Sequence, residues 1–283
     1  MYLVSGAVAI SFSPVWVAGA TVGPDIAAFY RCLIGGVVLA IALGVRKERL
    51  RLSSQNLRLA AAAIAFFAVD LALWHAAIGY IGPGLSTLLG NFQVFLLAAV
   101  GVVWLKESPD WRFLLSVPLA LIGLFLLVGR QWDQVGADYR FGVGLGLTVA
   151  FAYAGFTLTL RRAQSVPSGL SPAANLMIVS LGVAAVMAPL AAVRGEAFIL
   201  PDAWSWTAMG LYGAVSQALG WWLISRGLRT VPASRAGLIL VLQPALSFVW
   251  DVLLFGRPTD VLDGIGVALT LLAIYLGTMS SRR

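Results

Sequence analysis

The stretch DIAAFYRCLIGGVVLAIALGVRK, residues 25–47, decides how this chain is read. Between Asp25 and Arg46 one charge, Arg31, interrupts an apolar run, and Arg46-Lys47 closes it. A helix of about 20 residues at 1.5 Å per residue is about 30 Å long, which matches the hydrocarbon core of a bilayer. Membrane barrel strands are shorter and alternate between apolar and polar residues, so the continuous run argues against them. The helical form follows because backbone polar groups in lipid must be satisfied within the segment.

The rest of the chain repeats this pattern. Of its 283 residues, 60% are hydrophobic and 11% are charged, and the mean hydropathy is +0.91. A soluble domain is about 45–50% apolar and about 25% charged, so a soluble globular protein is excluded. A disordered chain is excluded by the amount of apolar surface. Apolar runs broken by charge, Pro and Gly predict ten spans, near residues 2–21, 25–45, 57–79, 84–104, 111–128, 141–161, 171–193, 204–225, 232–254 and 261–280. The expected fold class is an all-α polytopic membrane protein with no separate soluble domain.

The charges give an orientation. With the N-terminus in the cytoplasm, the inner connections hold fourteen of the nineteen basic residues, including Arg46, Lys47, Arg49, Arg161, Arg162, Arg226, Arg282 and Arg283. The outer connections hold four, Arg130, Arg140, Arg194 and Arg257, with most of the acids, among them Asp25, Glu196, Asp202 and Asp263. Positive charge concentrates on the cytoplasmic side of membrane proteins. The net charge of +7 is therefore an orientation signal. It makes the lipid bilayer an expected partner and nucleic acid not one. Both termini are expected in the cytoplasm. Ala18-Gly19-Ala20 has the small residues of a signal-peptidase site, but no basic region precedes it and the apolar run is long enough to span, so the first span is read as retained.

The halves compare at an offset of 150 residues, which pairs Leu88 with Leu238, Gln93 with Gln243, Leu96 with Leu246 and Val102 with Val252. Five spans per half is an odd number, so the second half is expected upside down relative to the first. Such inverted repeats are common in secondary transporters, whose substrate sites lie near the bilayer midplane.

Several motifs then resemble a known family. Ala28-Phe29-Tyr30-Arg31 lies in the second span. Gly84 through Gln93, followed by Trp104-Leu105-Lys106-Glu107, forms a small-residue helix that ends in an acidic turn. The second half echoes it in Pro232-Ala233-Ser234, Leu242-Gln243-Pro244 and Phe255-Gly256-Arg257. The chain resembles the EamA-type transporters of the drug/metabolite transporter (DMT) superfamily. Members typically carry Glu where Arg257 stands and Pro where Val94 stands. The resemblance implies ten helices as two inverted five-helix repeats, residues 1–130 and 138–283. It also implies secondary transport of a small organic metabolite, amino-acid-like or drug-like, by alternating access. Export is the direction the resemblance favours, and no enzymatic activity is implied. Seventeen Arg against two Lys suggests a GC-rich bacterial genome, hence a bacterial plasma membrane. A structural or receptor-like membrane protein and an intramembrane enzyme are the alternatives. Monomer and homodimer stay open.

The candidate site residues are the polar ones inside spans, because a charge at a helix centre costs about 2.5–3.5 kcal/mol on insertion scales. Arg31 and Asp70 are the clear cases. With Asn91 they are expected to lie roughly 9–13 Å below the outer edge, forming one layer in which Arg31 and Asp70 pair and a substrate competes for them. A permanent ion pair that orients helices is the alternative. His75 follows Asp70 by five residues and is a candidate partner in a proton relay, with a histidine hydrogen-bonded at the wet helix end as the alternative. Gln93, Gln243 and Gln217 are deep amides, read either as cavity groups or as interhelical hydrogen bonds. Trp74 and Tyr153 are candidate cavity aromatics. Pro244 and Pro14 are candidate hinges, since proline removes a helix hydrogen bond.

One Cys and one His cannot build a metal site of several N/S ligands. No Gly-x-x-x-x-Gly-Lys, Gly-x-Ser-x-Gly or His-Glu-x-x-His motif is present, so ATP-driven transport and common hydrolase chemistry have no sequence support. No cofactor is expected.

Overall fold

The computed structural model describes the chain except residues 19, 49, 51, 107, 109, 129–135, 167–169, 256–259 and 279–283. It describes the backbone alone at 14, 17, 18, 78, 79, 82–85, 87, 88, 127, 128, 234, 248, 251, 255, 277 and 278. The described residues are helical with no strand. In order they form α1 (Tyr2–Ser11), α2 (Ser13–Ala18), α3 (Pro24–Val45), α4 (Ser54–Gly90), α5 (Gln93–Val103), α6 (Trp111–Val128), α7 (Ala137–Gln164) and α8 (Pro172–Val193). Then come α9 (Ala203–Leu211), a π-helix (Tyr212–Gly220), α10 (Trp221–Gly227), α11 (Ala233–Leu240), α12 (Leu242–Phe255) and α13 (Val261–Thr278). Among the described residues, five stretches are long and apolar enough to cross a membrane: Pro24–Val45, Ser54–Ala77, Ala137–Gln164, Pro172–Val193 and Arg235–Leu254. Shorter apolar helices include Tyr2–Ser11, Gln93–Val103, Trp111–Leu126 and Val261–Leu276.

One expected boundary moves. The sequence predicts a junction between residues 79 and 84, but α4 runs through it and stops at Gly90. The chain turns at Asn91–Phe92 before α5. Gly and Pro are tolerated inside apolar helices where other groups satisfy the freed backbone, and no charge marks this junction as a loop.

Packing divides the chain into two units that do not follow the sequence halves. The first holds Met1–Ala72 and Gly155–Thr230, and the second holds Leu73–Ala154 and Val231–Arg283. In the first, α3 packs on α8, α9 and the π-helix, while α1 packs on α10 and the π-helix. Glycines make these approaches close. Gly35 faces Gln217 and the Gly213 carbonyl, Gly6 faces Gly220 and Ile224, and Gly227 faces Leu3. Helices in lipid gain little from apolar burial alone, so backbone proximity across small residues matters more. Ile26, Ala27, Ala191, Leu200, Ala208, Met209 and Tyr212 form one buried cluster of this unit.

A clip ties α3 to the segment after α8. The Glu196 carboxylate accepts hydrogen bonds from the backbone N–H of Ile26 (2.9 Å) and of Asp25 (3.4 Å), and so caps the α3 N-terminus. Carboxylates are favoured at helix N-termini. Arg194 Nη1 donates to Asp25 Oδ2 at 2.7 Å. Gly195, at φ +72°, makes the turn between the two gripping residues, a conformation that favours glycine.

In the second unit α6 packs along α13, with Gly123 against the Gly266 carbonyl and Thr270, and α5 packs on α11, with Gly237 against Leu97. Gly142 and Gly146 set one face of α7 against Tyr80, Ile81 and Leu89. Trp104, Trp111, Trp204 and Trp206 are exposed near helix ends, as interface anchors are.

A methyl at Gly35 would come within 2.5 Å of Gln217 Cγ, whereas Gly44 has nothing within 4 Å. Overpacking costs about 1–3 kcal/mol. Gly35→Ala is therefore expected to lower the thermal unfolding midpoint of the purified protein. Gly44→Ala should leave it unchanged or raise it, through better helix propensity. Tryptophan-fluorescence melts of the two variants provide the check.

Candidate functional site

The centre of the first unit is Arg31, on α3 and only 7% exposed. Its Nε donates to Gln217 Oε1 at 2.8 Å, and its Nη1 donates to the Tyr212 hydroxyl at 2.9 Å. The guanidinium carbon lies 4.9 Å from the Tyr212 ring centroid and 5.5 Å from that of Phe67. An aromatic face attracts a cation, more so away from water. Phe67 is stacked on Phe156 at 4.3 Å, and Trp221 meets both edge-on.

The amide orientation of Gln217 follows from its neighbours. Arginine only donates, so the amide oxygen must face it. The amide nitrogen then donates to Ser180 Oγ on α8 at 2.9 Å. Gln217 and Ser180 are both fully buried. Arg31, Gln217 and Ser180 thus form a polar chain across α3, the π-helix and α8.

The π-helix explains why Tyr212 and Gln217 act together. In an α-helix, residues five apart point about 140° away from each other. A π-helix hydrogen-bonds i to i+5, so it stacks residue 217 over residue 212 and turns both to Arg31. Gly35, one turn along α3 from Arg31, leaves the space that the Gln217 stem occupies.

Asp70 on α4 belongs to the same unit and is 9% exposed. Arg31 and Asp70 act on each other electrostatically. The expected contact pair is nevertheless not formed: among the described residues no ion pair within 4 Å joins them, and the guanidinium bonds to Gln217 and Tyr212 instead. Asp70 accepts no hydrogen bond from a described residue.

Apart from Pro14, the other predicted residues fall in the second unit, so Asn91 is not in the unit that holds Arg31 and Asp70. Asn91 sits buried at the turn between α4 and α5. Gln93 opens α5 and is 1% exposed, with neither amide atom hydrogen-bonded. Gln243, at the second position of α12, accepts from the Tyr153 hydroxyl at 3.4 Å. Pro244 follows it, and the helix breaks at Val241. The missing proline N–H would have bonded the Leu240 carbonyl, so the break lies where the sequence chemistry places it. The break at Asn91–Phe92 lies at nearly the equivalent position 150 residues earlier, with Val94 in place of proline. The Trp74 ring centroid is 4.9 Å from that of His75. Pro14 falls in the first turn of α2, and its side chain lies outside the described residues.

Tyr212, Ser180 and Asp251 are not singled out by the sequence. Tyr212 looks like any aromatic near a helix end, and Ser180 like any small hydroxyl. The Gly213, Ser216, Gln217 and Gly220 pattern marks a close-packed face but not the π register. Asp251, a further acid inside an apolar span, was also missed, and its side chain lies outside the described residues.

A buried arginine with a dedicated polar cradle, in a chain of membrane-length helices, belongs to the class of polytopic helical membrane transporters. The model of the EamA-like transporter family matches residues 1–129 and 140–279, and the chain belongs to that family, within the DMT superfamily. It is 24% identical over 256 residues to YwfM, an uncharacterized transporter of Bacillus subtilis, covering 90% of this chain and 84% of that one. An uncharacterized transporter of Archaeoglobus fulgidus is 26% identical over 209 residues, or 74% and 72% of the two chains. A crystal structure superposes over 99% of both chains with a TM-score of 0.84 at 18% identity, which shows a shared fold.

Removing one partner of a buried hydrogen bond costs about 1–3 kcal/mol. Gln217→Leu strands both Arg31 and Ser180 and is expected to destabilise within that range. Adding Ser180→Ala should restore part of the loss, because the second orphan disappears. A double-mutant cycle from denaturant or thermal unfolding measures the coupling.

Proposed function

We propose that this protein is a secondary transporter of a small organic solute in a bacterial plasma membrane, working by alternating access, with export as its direction. Ten spans in two inverted five-helix repeats, residues 1–130 and 138–283, place both termini in the cytoplasm. The bias of basic residues supports that orientation. The observation that carries the reading is Arg31. A charge held in an apolar bundle by neutral groups, with donors left over, is a group kept for a ligand; ionisable residues inside a membrane are functional by default. Asp70, buried on α4 in the same unit, is proposed as a second group of the site. Gln93 and Gln243, at the two helix breaks, and Tyr153 on α7 are proposed as further substrate-contacting or gating groups. Transporters use the ends of discontinuous helices in this way. Pro244 is proposed as a hinge, and His75 as a link between Asp70 and the outer aqueous face.

Reconstitution into liposomes tests this. Counterflow of a labelled solute, found by thermal-shift screening of metabolites, should exceed that of empty vesicles. Arg31→Gln should reduce it by at least about tenfold, the effect of losing 1.4 kcal/mol of binding, while the protein still elutes as a folded species. Equal flux in wild-type and Arg31→Gln vesicles would sink the proposal.

A further inference from the structure

From the bonding of the deep glutamine amides we infer that the Asn91–Phe92 break is a gate biased against staying shut: the stranded Gln93 amide raises the free energy of the described conformation and favours one in which water reaches it. This inference rests on the reading of the protein as an alternating-access transporter, and it names the step at which Gln93 acts.

Three glutamines lie inside apolar spans, and the fold treats them differently. Gln217 is fully buried with both ends of its amide bonded, the oxygen to Arg31 at 2.8 Å and the nitrogen to Ser180 at 2.9 Å. Gln93 is 1% exposed, and neither its Oε1 nor its Nε2 has a partner. Gln243 stands between these cases. Its Nε2 is buried without a partner, and its Oε1 accepts from the Tyr153 hydroxyl at 3.4 Å, beyond the range of about 2.5–3.0 Å in which O–H···O bonds are strong. The fold can therefore satisfy a buried amide where a fixed contact is needed. Beside its two helix breaks it leaves two amides short.

An amide taken out of water without new bonds loses its hydration and gains nothing in return. Folded proteins leave few such groups, and each one that remains needs a reason. Packing does not supply it here. Leu89, Val94 and Leu97, close to Gln93 along the chain, are buried as well, and Gly237 approaches Leu97 and the Val94 backbone. An apolar side chain of the same size would suit these surroundings without the polar cost. Glutamine at this position is thus a liability in the described conformation, and it is relieved only where the amide meets water.

A bias produces motion only where the backbone can yield. At the first break Phe92, Val94 and Phe95 donate to the carbonyls of Leu89, Asn91 and Phe92, each three residues back rather than four. Such bonds have poorer geometry than those of an α-helix. At the second break Val241 bonds back three residues to Leu238, and Ala245 reaches the Val241 carbonyl only at 3.5 Å. Pro244 between them has no N–H to give. Turning a half-helix at either point breaks few good backbone bonds. The bias then shifts the population toward the open arrangement. It needs neither solute nor proton, so it works in the empty protein.

The test uses the purified full chain without solute. Gln93→Leu and Gln93→Met keep the size of the side chain and remove the amide. Each should raise the melting temperature, the opposite sign to Gln217→Leu. Each should also slow hydrogen–deuterium exchange of the backbone over residues 91–97 by about tenfold, the factor that 1.4 kcal/mol represents. Gln93→Asn, which keeps an amide, should not raise the melting temperature. In vesicles, counterflow should fall several-fold in Gln93→Leu as opening becomes rarer. Melting at or below the wild-type temperature in both apolar variants, or failure of both to fold, would overturn the inference, because the amide would then be stabilising. Unchanged exchange would overturn it too, as would undiminished flux in variants that melt higher. Weaker solute binding with an unchanged melting temperature would make Gln93 a substrate contact and not a bias. A wild-type protein that moves no solute removes the transporter reading, while melting and exchange still decide whether the amide biases the break.

Discussion

The structure depends on solvating one guanidinium where water is scarce. Arg31 sits in the apolar run that defines the fold, and the cost of its charge must be met by neighbouring protein groups. Gln217 and Tyr212 do this by hydrogen bonds, and the Tyr212 and Phe67 rings do it by their faces. Each partner imposes a further condition. Gln217 reaches Arg31 only because Gly35 has no side chain, and its amide is held the right way round only because Ser180 accepts from its nitrogen. Tyr212 and Gln217 converge only because the helix carrying them is wound as a π-helix. The close packing of α3, α8 and the π-helix is thus set by one side chain.

The sequence made the class, and part of the site, legible. Arg31, Asp70 and Gln217 stood out because polar groups are costly in lipid, a property that residue type alone reveals. The break at Val241 was foreshadowed by Pro244, a local effect of one missing N–H. The pairing of Arg31 with Tyr212 was hidden, since helical spacing as α would turn Tyr212 and Gln217 to different faces. Attraction between opposite charges suggested an Arg31–Asp70 contact, but the arginine bonds to two neutral partners on another helix. The turn at Asn91–Phe92 was misplaced because Gly82-Pro83-Gly84 is a stronger breaker in water than inside an apolar bundle.

Gln93 and Gln243 stand 150 residues apart beside two similar helix breaks. Both lie at the start of a half-helix just after a break, yet only the second break has a proline to cause it. The same local shape arises from proline chemistry in one half and from a turn at Asn91–Phe92 in the other. Gln243 is engaged by Tyr153, while the buried Gln93 amide has no hydrogen-bond partner. Two amides at matching places in the helices therefore differ in their bonding among the described residues.

The π-helix has a genetic consequence. Its winding holds more residues per turn than an α-helix, so loss of a single codon between those for Tyr212 and Gln217 would let the segment close into ordinary winding. The two residues would survive in name, four apart instead of five, on a helix rotated relative to everything after it. No apolar position would be lost and the hydropathy profile would barely change; the two partners would still share a face, but every later residue would be shifted by one position relative to them. In this chain, site identity is recorded in the reading length of one helix as much as in its amino acids, a feature that substitution-based comparison of relatives does not register.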